Sequence, residues 1–319
     1  MTALDRATGA LYGLAIGDAL GMPTQMMSRD AIVAKYDGIS GFEAAAPDHP
    51  LAAGLPAGSV TDDTEQAVLL AHHLVAHTGR IDGAAFAAEL VAWENDMRAR
   101  GSLDLLGPST KAAITALLAG TPLDEAGRYG TTNGAAMRVT PVGIVMSSNY
   151  IPDLVERVVE ASRATHNTGV AIAGASAVAA AVSAGIDGAS IFEATIVAIE
   201  AASLGSRRGH WVAAADVAAR IQWVVTLHHQ TAIYELVGTS LATQESVPAA
   251  FALLATYSDP WEAVCAAASL GGDSDTIAAM VGAVAGACGA SWPSDAIDTV
   301  RSVNQLDLAP LAADLLALR

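Results

Sequence analysis

Apolar residues recur at the spacing of an α-helix along most of this sequence. In many segments they fall at positions i, i+3 and i+4, which lie on one face of a helix. This periodicity predicts helices at residues 6–20, 64–76, 84–97, 109–118, 154–162, 169–184, 191–202, 216–227, 247–257, 260–268 and 276–286.

The alternation of apolar and polar residues that is typical of a β-strand is rare in the chain. The nearest approach is residues 137–145, and Pro141 interrupts it. Prolines and glycines separate the predicted helices and leave two long connections, 22–58 and 127–148. Connections of that length are usually functional or disordered. We therefore predict an all-α fold in which residues 1–319 form a single compact domain.

The first predicted helix carries a regular stripe of glycines. Gly9, Gly13, Gly17 and Gly21 recur at every fourth position, and each costs roughly 1 kcal/mol relative to alanine inside a helix. Two explanations remain open. One is close packing against a neighbouring helix, and the other is a ligand that approaches the backbone near the end of the stripe, where Asp18 lies.

Composition and charge narrow the class of protein. The formal net charge is −17, which argues against a nucleic-acid backbone or an anionic membrane surface as a partner. Two charge-free stretches, 169–186 and 277–292, are rich in Ala, Gly and Ser, so we expect buried core helices rather than membrane spans. No secretory signal is visible and the cysteines lack CxxC spacing, so we expect a cytoplasmic protein.

Two acidic segments, residues 60–65 (VTDDTE) and 270–276 (LGGDSDT), each open a predicted helix. Asp and Thr at a helix start accept hydrogen bonds from free backbone N–H groups, so capping alone explains either segment. However, each segment holds more negative charge than one cap needs, and the repulsion would be relieved by a cation. If the segments meet in the fold, their oxygen ligands would suit two hard cations such as Mg²⁺ or Mn²⁺.

Several common metal-binding, catalytic and nucleotide-binding motifs are absent from the sequence. An EF-hand beginning at Asp273 requires glutamate where Val284 stands. The sequence contains no HExxH, GxSxG, P-loop or GxGxxG motif.

Five short motifs occur in a fixed order along the chain. They are 17–23 (GDALGMP), 61–64 (TDDT), 132–138 (TNGAAMR), 165–166 (TH) and 271–276 (GGDSDT). Taken together, they resemble the motifs of the ADP-ribosylglycohydrolase family, which includes the dinitrogen reductase-activating glycohydrolases and the ADP-ribosyl-acceptor hydrolases. The similarity runs from about residue 6 to about residue 308, and residues 106–111 and 303–307 match a bacterial subgroup more closely.

The resemblance implies an orthogonal bundle of helices with a binuclear Mg²⁺ or Mn²⁺ centre in a cleft. Asp275 would bridge the two ions. The metal ligands it implies are Thr61, Asp62, Asp63, Asp273, Asp275 and Thr276. The substrate-binding residues it implies are Asp104, Asn133, Gly134, Ala135, Met137, His166 and Gly271, with the 133–137 loop near the diphosphate or ribose and His166 beside the ribose.

The implied reaction is hydrolysis of the glycosidic bond of an ADP-ribosyl group through an oxocarbenium-like state, with Asp62, Asp63, Asp275 and position 25 as catalytic residues. Many active members have glutamate at position 25, where this chain has Gln25. An amide cannot exchange a proton near neutral pH. Either Asp63 or Asp104 transfers the proton, or the substrate differs, or the activity is weak.

Three functions therefore remain open at the level of the sequence. The first is a metal-dependent hydrolase that removes an ADP-ribosyl group from a protein side chain or a small ADP-ribosyl compound. The second keeps the metal site but acts as an N-glycosidase on a free nucleoside-like ribosyl compound. The third is a non-catalytic member of the family that binds ADP-ribose.

Overall fold

The computed structural model describes residues 1–102, 106–227 and 229–319, and within these ranges the chain is built from helices without a β-strand. A 3₁₀ turn (Met22–Thr24) and a π-helical turn (Ile233–Val237) accompany the α-helices. The α-helices are α1 Ala3–Gly21, α2 Arg29–Tyr36, α3 Asp62–Ala76, α4 Gly83–Ala99, α5 Pro108–Leu118, α6 Leu123–Ala126, α7 Gly134–Met137, α8 Thr140–Val145, α9 Ile151–Ser162, α10 Gly169–Ile186, α11 Ile191–Gly205, α12 Val217–Val224, α13 Gln230–Ala232, α14 Thr243–Thr256, α15 Pro260–Ala268, α16 Ser274–Ala287, α17 Ser294–Asn304 and α18 Leu308–Leu316.

The all-α prediction is confirmed, and every segment with helical periodicity contains a helix. The two connections expected to be loops contain helices as well: α2 lies within 22–58, and α7 and α8 lie within 127–148. The alternating segment 137–145 is helical, with Pro141 in the first turn of α8. Proline is tolerated there because its missing N–H would have no partner within the helix.

Helix α1 packs antiparallel against α16 at backbone contact distance. A Cβ atom added to Gly13 would overlap the carbonyl group of Gly282, and one added to Gly286 would overlap the carbonyl group of Gly9. The glycine stripe is therefore explained by helix packing, one of the two possibilities that the sequence left open. Since the helices run in opposite directions, the last turn of α1 lies beside the first turn of α16.

Helix α10 is long and apolar enough to cross a membrane, yet every residue of it is buried within the fold. It packs against α11 and α16 in the interior. A buried helix surrounded by other helices has no polar face, which accounts for its uniformly apolar sequence. The prediction that residues 169–186 form a core helix is confirmed.

Candidate functional site

The C-terminal end of α1 contacts the first turns of α3 and α16. A Cβ atom on Gly21 would overlap the backbone of Asp275, so the glycine allows α16 to approach closely. One turn earlier, the fully buried carboxylate of Asp18 accepts hydrogen bonds from the backbone N–H groups of Thr61 (2.9 Å) and Thr64 (3.1 Å) at the start of α3. The acidic starts of α3 and α16 are thus anchored to the same turn of α1.

Asp18 is a site residue that the sequence did not single out for this role. Besides the two backbone N–H groups, it accepts hydrogen bonds from the hydroxyl groups of Thr61 (2.7 Å) and Thr64 (2.5 Å). Burial raises the pKa of Asp18 to about 6, and these hydrogen bonds act in the opposite direction. Its position inside the GDALG motif is the sequence signal that could have identified it.

Asp273 occupies the N-cap position of α16, but its side chain makes no capping hydrogen bond. Its carboxylate instead accepts a hydrogen bond from the side-chain amide of Asn133, which precedes α7. Burial raises the pKa of Asp273 to about 6, although hydrogen bonds from Asn133 and Thr276 act against this. Helix capping therefore does not explain the carboxylate at position 273.

The two acidic segments are in direct contact. The Thr276 hydroxyl group donates a hydrogen bond to Asp63 Oδ2 at 3.2 Å, and the Thr61 hydroxyl group lies 3.4 Å from the same oxygen. Next to them, Asp62 Oδ2 accepts a hydrogen bond from the Gln66 side chain at 2.6 Å. The expectation that the segments meet in the fold is confirmed.

A cavity of about 310 Å³ opens where these segments meet. The start of α5 and the turn before α7 complete its wall. Among the residues that the structure describes, Lys111 is the only lysine or arginine in this wall. The predicted site residues that line the cavity are Gln25, Asp62, Asp63, Asn133, Gly134, Met137, Asp273, Asp275 and Thr276.

The other predicted site residues lie elsewhere. Thr61 is buried against Asp18, behind the first turn of α3. His166 is fully buried, and a Cβ atom on Gly134 would stand 2.9 Å from its ring, so the turn at Gly134 covers it. The remaining members that do not line the cavity are Ala135 and Gly271. Asp104, predicted to bind substrate or transfer a proton, lies outside the described residues.

Gln25 lies in the cavity wall and is held through its backbone. The backbone N–H groups of Leu51 and Ala52 donate to His49 Nδ1, so the proton of the neutral ring is on Nε2. That nitrogen donates to the carbonyl oxygen of Gln25 at 3.0 Å. The side-chain nitrogen of Gln25 is buried and has no hydrogen-bond partner among the described residues. The amide can therefore donate to a molecule in the cavity.

A larger cavity of about 570 Å³ lies next to this one. The two share only Leu51 among the described residues of their walls. Its wall includes Glu65 and Arg100, whose Oε2 and Nη2 atoms lie 3.5 Å apart. It includes none of the predicted site residues. The smaller cavity is therefore the candidate site.

The fold and this cavity define a class of protein, namely all-helical proteins with an acidic pocket formed at the starts of two helices. The sequence model of the ADP-ribosylglycohydrolase family matches residues 1–319. The chain belongs to the ADP-ribosylglycohydrolase family.

The relatives agree with this assignment. The chain is 33% identical to YegU, an uncharacterized protein of Escherichia coli, over 98% of this chain and 96% of that protein. It is 28% identical to an ADP-ribosylarginine hydrolase of Pseudomonas putida over 89% of this chain and 71% of that one. A solved structure described as an ADP-ribosylglycohydrolase-related protein complex superposes with a TM-score of 0.74 and 25% identity, covering 99% of this chain and 98% of the other.

Proposed function

We propose that this chain is a metal-dependent hydrolase that cleaves the glycosidic bond of an ADP-ribosyl group, on a protein side chain or in a small ADP-ribosyl compound. The observation that carries the proposal is the single cavity shared by the α3 and α16 carboxylates, the 133–137 turn and the start of α5. Family membership supports hydrolysis of ADP-ribosyl bonds, and the cavity supplies groups suited to both ends of such a substrate.

The donor chemistry of the acidic wall fits two hard divalent cations. The residues that would hold them are Asp62, Asp63, Asp273, Asp275 and Thr276, all with oxygen donors, which Mg²⁺ and Mn²⁺ prefer. Thr61 belongs to the implied ligand set, but its hydroxyl group donates to Asp18. Among the described residues, no three His, Cys, Asp or Glu side chains are already arranged around one ion. The carboxylates would therefore have to reorient around an incoming cation.

The raised pKa of the Asp273 carboxyl gives a physical reason for cation binding at this wall. Burial disfavours the ionised form, and a bound cation would offset that cost. When bound, the cations would supply positive charge to grip the ribose hydroxyl groups and to orient the attacking water.

The protein side chains have complementary tasks in this proposal. Positive charge develops at the anomeric carbon as the glycosidic bond breaks, and the negative charge of Asp62, Asp63 and Asp275 stabilises it. Gln25 can donate a hydrogen bond from its free amide nitrogen but cannot transfer a proton. We assign the proton transfer to Asp63, which lines the cavity and lies within hydrogen-bond distance of Thr276.

The part of the cavity wall formed by the start of α5 is suited to the diphosphate. Helix α5 points its N-terminus at the cavity, with Gly107 as an N-cap that has no side chain to cap the helix. Free N–H groups and the helix dipole favour an anion at that position. Lys111 follows in the next turn and supplies a positive charge. A substrate with an anionic diphosphate and a ribose would thus meet opposite charges at the two walls.

The test is release of ADP-ribose from ADP-ribosylated arginine and serine peptides, with and without Mg²⁺ or Mn²⁺. We expect turnover that requires the metal and falls by at least about 100-fold in the Asp275→Asn variant, because an amide cannot replace a bridging carboxylate. Asp314→Asn changes an exposed aspartate on α18 and serves as the matched control. Equal turnover by both variants would refute the proposed metal role.

Gln25 favours a second candidate function, which is binding of ADP-ribose without catalysis. Its buried amide nitrogen presents a donor where an acid–base residue would be needed. Calorimetry measures the binding of ADP-ribose, and hydrolysis assays with a panel of nucleosides measure turnover. The two measurements together distinguish the candidates. Binding without turnover by the wild-type chain, with turnover gained in Gln25→Glu, would favour the second.

A further inference from the structure

Arg138 is the largest of the fully buried side chains, with 1% exposure. No carboxylate lies within salt-bridge distance of its guanidinium group in residues 1–102, 106–227 and 229–319. The group instead lies 5.3 Å from the ring centre of Phe86 and donates hydrogen bonds to two neutral side chains, Gln66 and Thr165. The negative charge of Asp62 acts on this group and offsets part of the cost of burying it. The cost that remains points to a purpose beyond packing.

The first hydrogen-bond branch from Arg138 reaches the acidic wall. A guanidinium group can only donate, so the Gln66 side chain must turn its carbonyl oxygen toward Arg138, at 3.0 Å. The amide nitrogen of Gln66 then faces Asp62 and donates to its Oδ2 at 2.6 Å. Arg138 thereby fixes the orientation of the amide that holds the Asp62 carboxylate.

The second branch reaches another residue of the cavity wall, Thr132. Thr165 Oγ1 accepts from Arg138 at 2.7 Å and lies 2.9 Å from His166 Nδ1. The guanidinium group cannot accept a hydrogen bond, so Nδ1 is the only acceptor for the hydroxyl hydrogen of buried Thr165 among its hydrogen-bond partners in the described residues. The hydroxyl group therefore donates to Nδ1, and the ring proton is on Nε2. His166 Nε2 lies 3.0 Å from Thr132 Oγ1 and donates to it. Burial and the charge of Arg138 hold the pKa of His166 well below its ordinary value, so the ring is neutral.

The hydroxyl hydrogen of Thr132 is therefore directed away from His166. Thr132 lines the candidate cavity, and its hydroxyl group has no other hydrogen-bond partner among the described residues. Its backbone N–H lies 3.4 Å from Ser109 Oγ at the start of α5. A phosphate oxygen bound at this wall accepts hydrogen bonds and cannot donate them when ionised.

We propose that Arg138 is a positioning residue that sets the direction of both branches, and that the second branch makes the Thr132 hydroxyl group a hydrogen-bond donor to a phosphate oxygen of the substrate. The ligand contact rests on the proposed function, whereas the buried chain from Arg138 to Thr132 does not. The two parts are tested separately.

The buried chain is tested by nitrogen NMR of protein labelled with ¹⁵N-histidine, in which long-range couplings distinguish the two ring tautomers. The His166 signal is assigned by its loss in His166→Gln. We expect a single tautomer with the proton on Nε2, and a mixture in Arg138→Gln, whose amide can either donate or accept. Thr165→Val gives the same readout if Arg138→Gln does not fold, and Thr165→Ser is the matched control that keeps the single tautomer.

A wild-type proton on Nδ1 would overturn the chain. An unchanged single tautomer in folded Arg138→Gln would overturn the positioning role of Arg138. An unchanged tautomer in Thr165→Val would likewise show that the hydroxyl group does not direct the ring.

The ligand contact is tested by calorimetry with ADP-ribose. We expect Thr132→Val to bind about tenfold more weakly, the loss of one hydrogen bond to a charged oxygen, while Thr132→Ser stays within about threefold of wild type. Equal affinity of Thr132→Val and wild type overturns the contact. If wild type does not bind ADP-ribose at all, the proposed function and the ligand contact both fail, while the tautomer measurement still decides the buried chain.

Discussion

The contact between α1 and α16 makes Gly21→Ala the most informative single substitution in this fold. A Cβ atom at Gly21 would overlap the Cα atom and the amide nitrogen of Asp275, and both are backbone atoms that cannot rotate away. At the other end of the stripe, a Cβ atom on Gly9 would lie 3.0 Å from the carbonyl oxygen of Gly286, close enough to require a shift of only a few tenths of an ångström. Gly9→Ala is therefore a matched control in the same helix.

The magnitudes follow from two opposing terms. Replacing glycine by alanine inside a helix favours folding by about 1 kcal/mol, while overpacking a close contact costs about 1–3 kcal/mol. At Gly9 the terms nearly cancel, so we expect a change below about 0.5 kcal/mol. At Gly21 the steric cost dominates, and we expect a net loss of about 1–2 kcal/mol. The start of α16 would also move away from α3, lengthening the 3.2 Å contact between Thr276 and Asp63.

Urea unfolding followed by circular dichroism measures the first effect, and turnover of ADP-ribosylated peptide in Mn²⁺ measures the second. We expect Gly9→Ala to match wild type in both assays, and Gly21→Ala to lose stability and most of its turnover. A Gly21→Ala protein as stable and as active as Gly9→Ala would refute the conclusion that backbone contact with α1 positions Asp275.

Four further predictions concern single groups of the site. Asp18→Asn should lower the free energy of unfolding by about 2–4 kcal/mol in urea titrations, because an amide nitrogen replaces one of the two oxygens that accept hydrogen bonds from Thr61 and Thr64 and the negative charge is lost. A loss below about 0.5 kcal/mol would contradict its anchoring role. Burial and Arg138 depress the pKa of His166 in the folded state, so below about pH 6.5 only the unfolded chain takes up this proton and stability falls as pH falls. Relative to His166→Asn, wild type should lose up to about 1.4 kcal/mol of unfolding free energy per pH unit below 6.5. If the unfolding free energies of the two proteins change in parallel with pH, this explanation is wrong. Gln25→Glu should increase turnover of ADP-ribosylated peptide if proton transfer limits the wild-type rate. The control is Gln25→Ala, which removes the amide without adding an acid. No gain in turnover would leave Asp63 as the better candidate for proton transfer. Addition of Mn²⁺ at about 100 times its dissociation constant should raise the free energy of unfolding by about 2.7 kcal/mol. We expect a chelator to reverse this effect and Asp275→Asn to abolish it. Equal stabilisation of this variant would exclude Asp275 as a ligand.

Helical periodicity predicted the framework because most of the helices bury an apolar face. Helices α7 and α8 are buried, but they span four and six residues and are too short to show the helical period. Two other helices that the periodicity missed bury little. Helix α2 buries only Ile32, and α17 buries only Ala296 and Val300. A helix of this kind is fixed by its caps and by contacts from distant segments rather than by its own pattern. One such contact is the Asn304 side chain, whose amide donates to the carbonyl oxygen of Gly58 at 2.8 Å.

The acidic segments were identifiable because excess charge at a helix start is a local property of the sequence. The residues that hold them were not, since Asp18 and Arg138 act across long stretches of chain. For His166, the place beside the ribose stays a prediction. The structure shows that its ring is fully buried behind Gly134. The hydrogen bond between His166 and the Thr132 hydroxyl group joins residues that are distant in sequence, so residue spacing alone cannot predict it.

Capping and ligand binding draw on the same residues, so sequence alone could not separate them for Asp273. Geometry separates them, because the residue in the N-cap position forgoes the capping bond and accepts one from Asn133 instead. The cost is visible in the pKa of its carboxyl, which burial raises to about 6. A carboxyl whose pKa is raised on folding destabilises the fold as pH rises from about 4 to 6 and above. Helix stability does not explain why the fold keeps this carboxylate at a helix start, beside three others in one cavity. The cation that we propose at this wall would offset the cost.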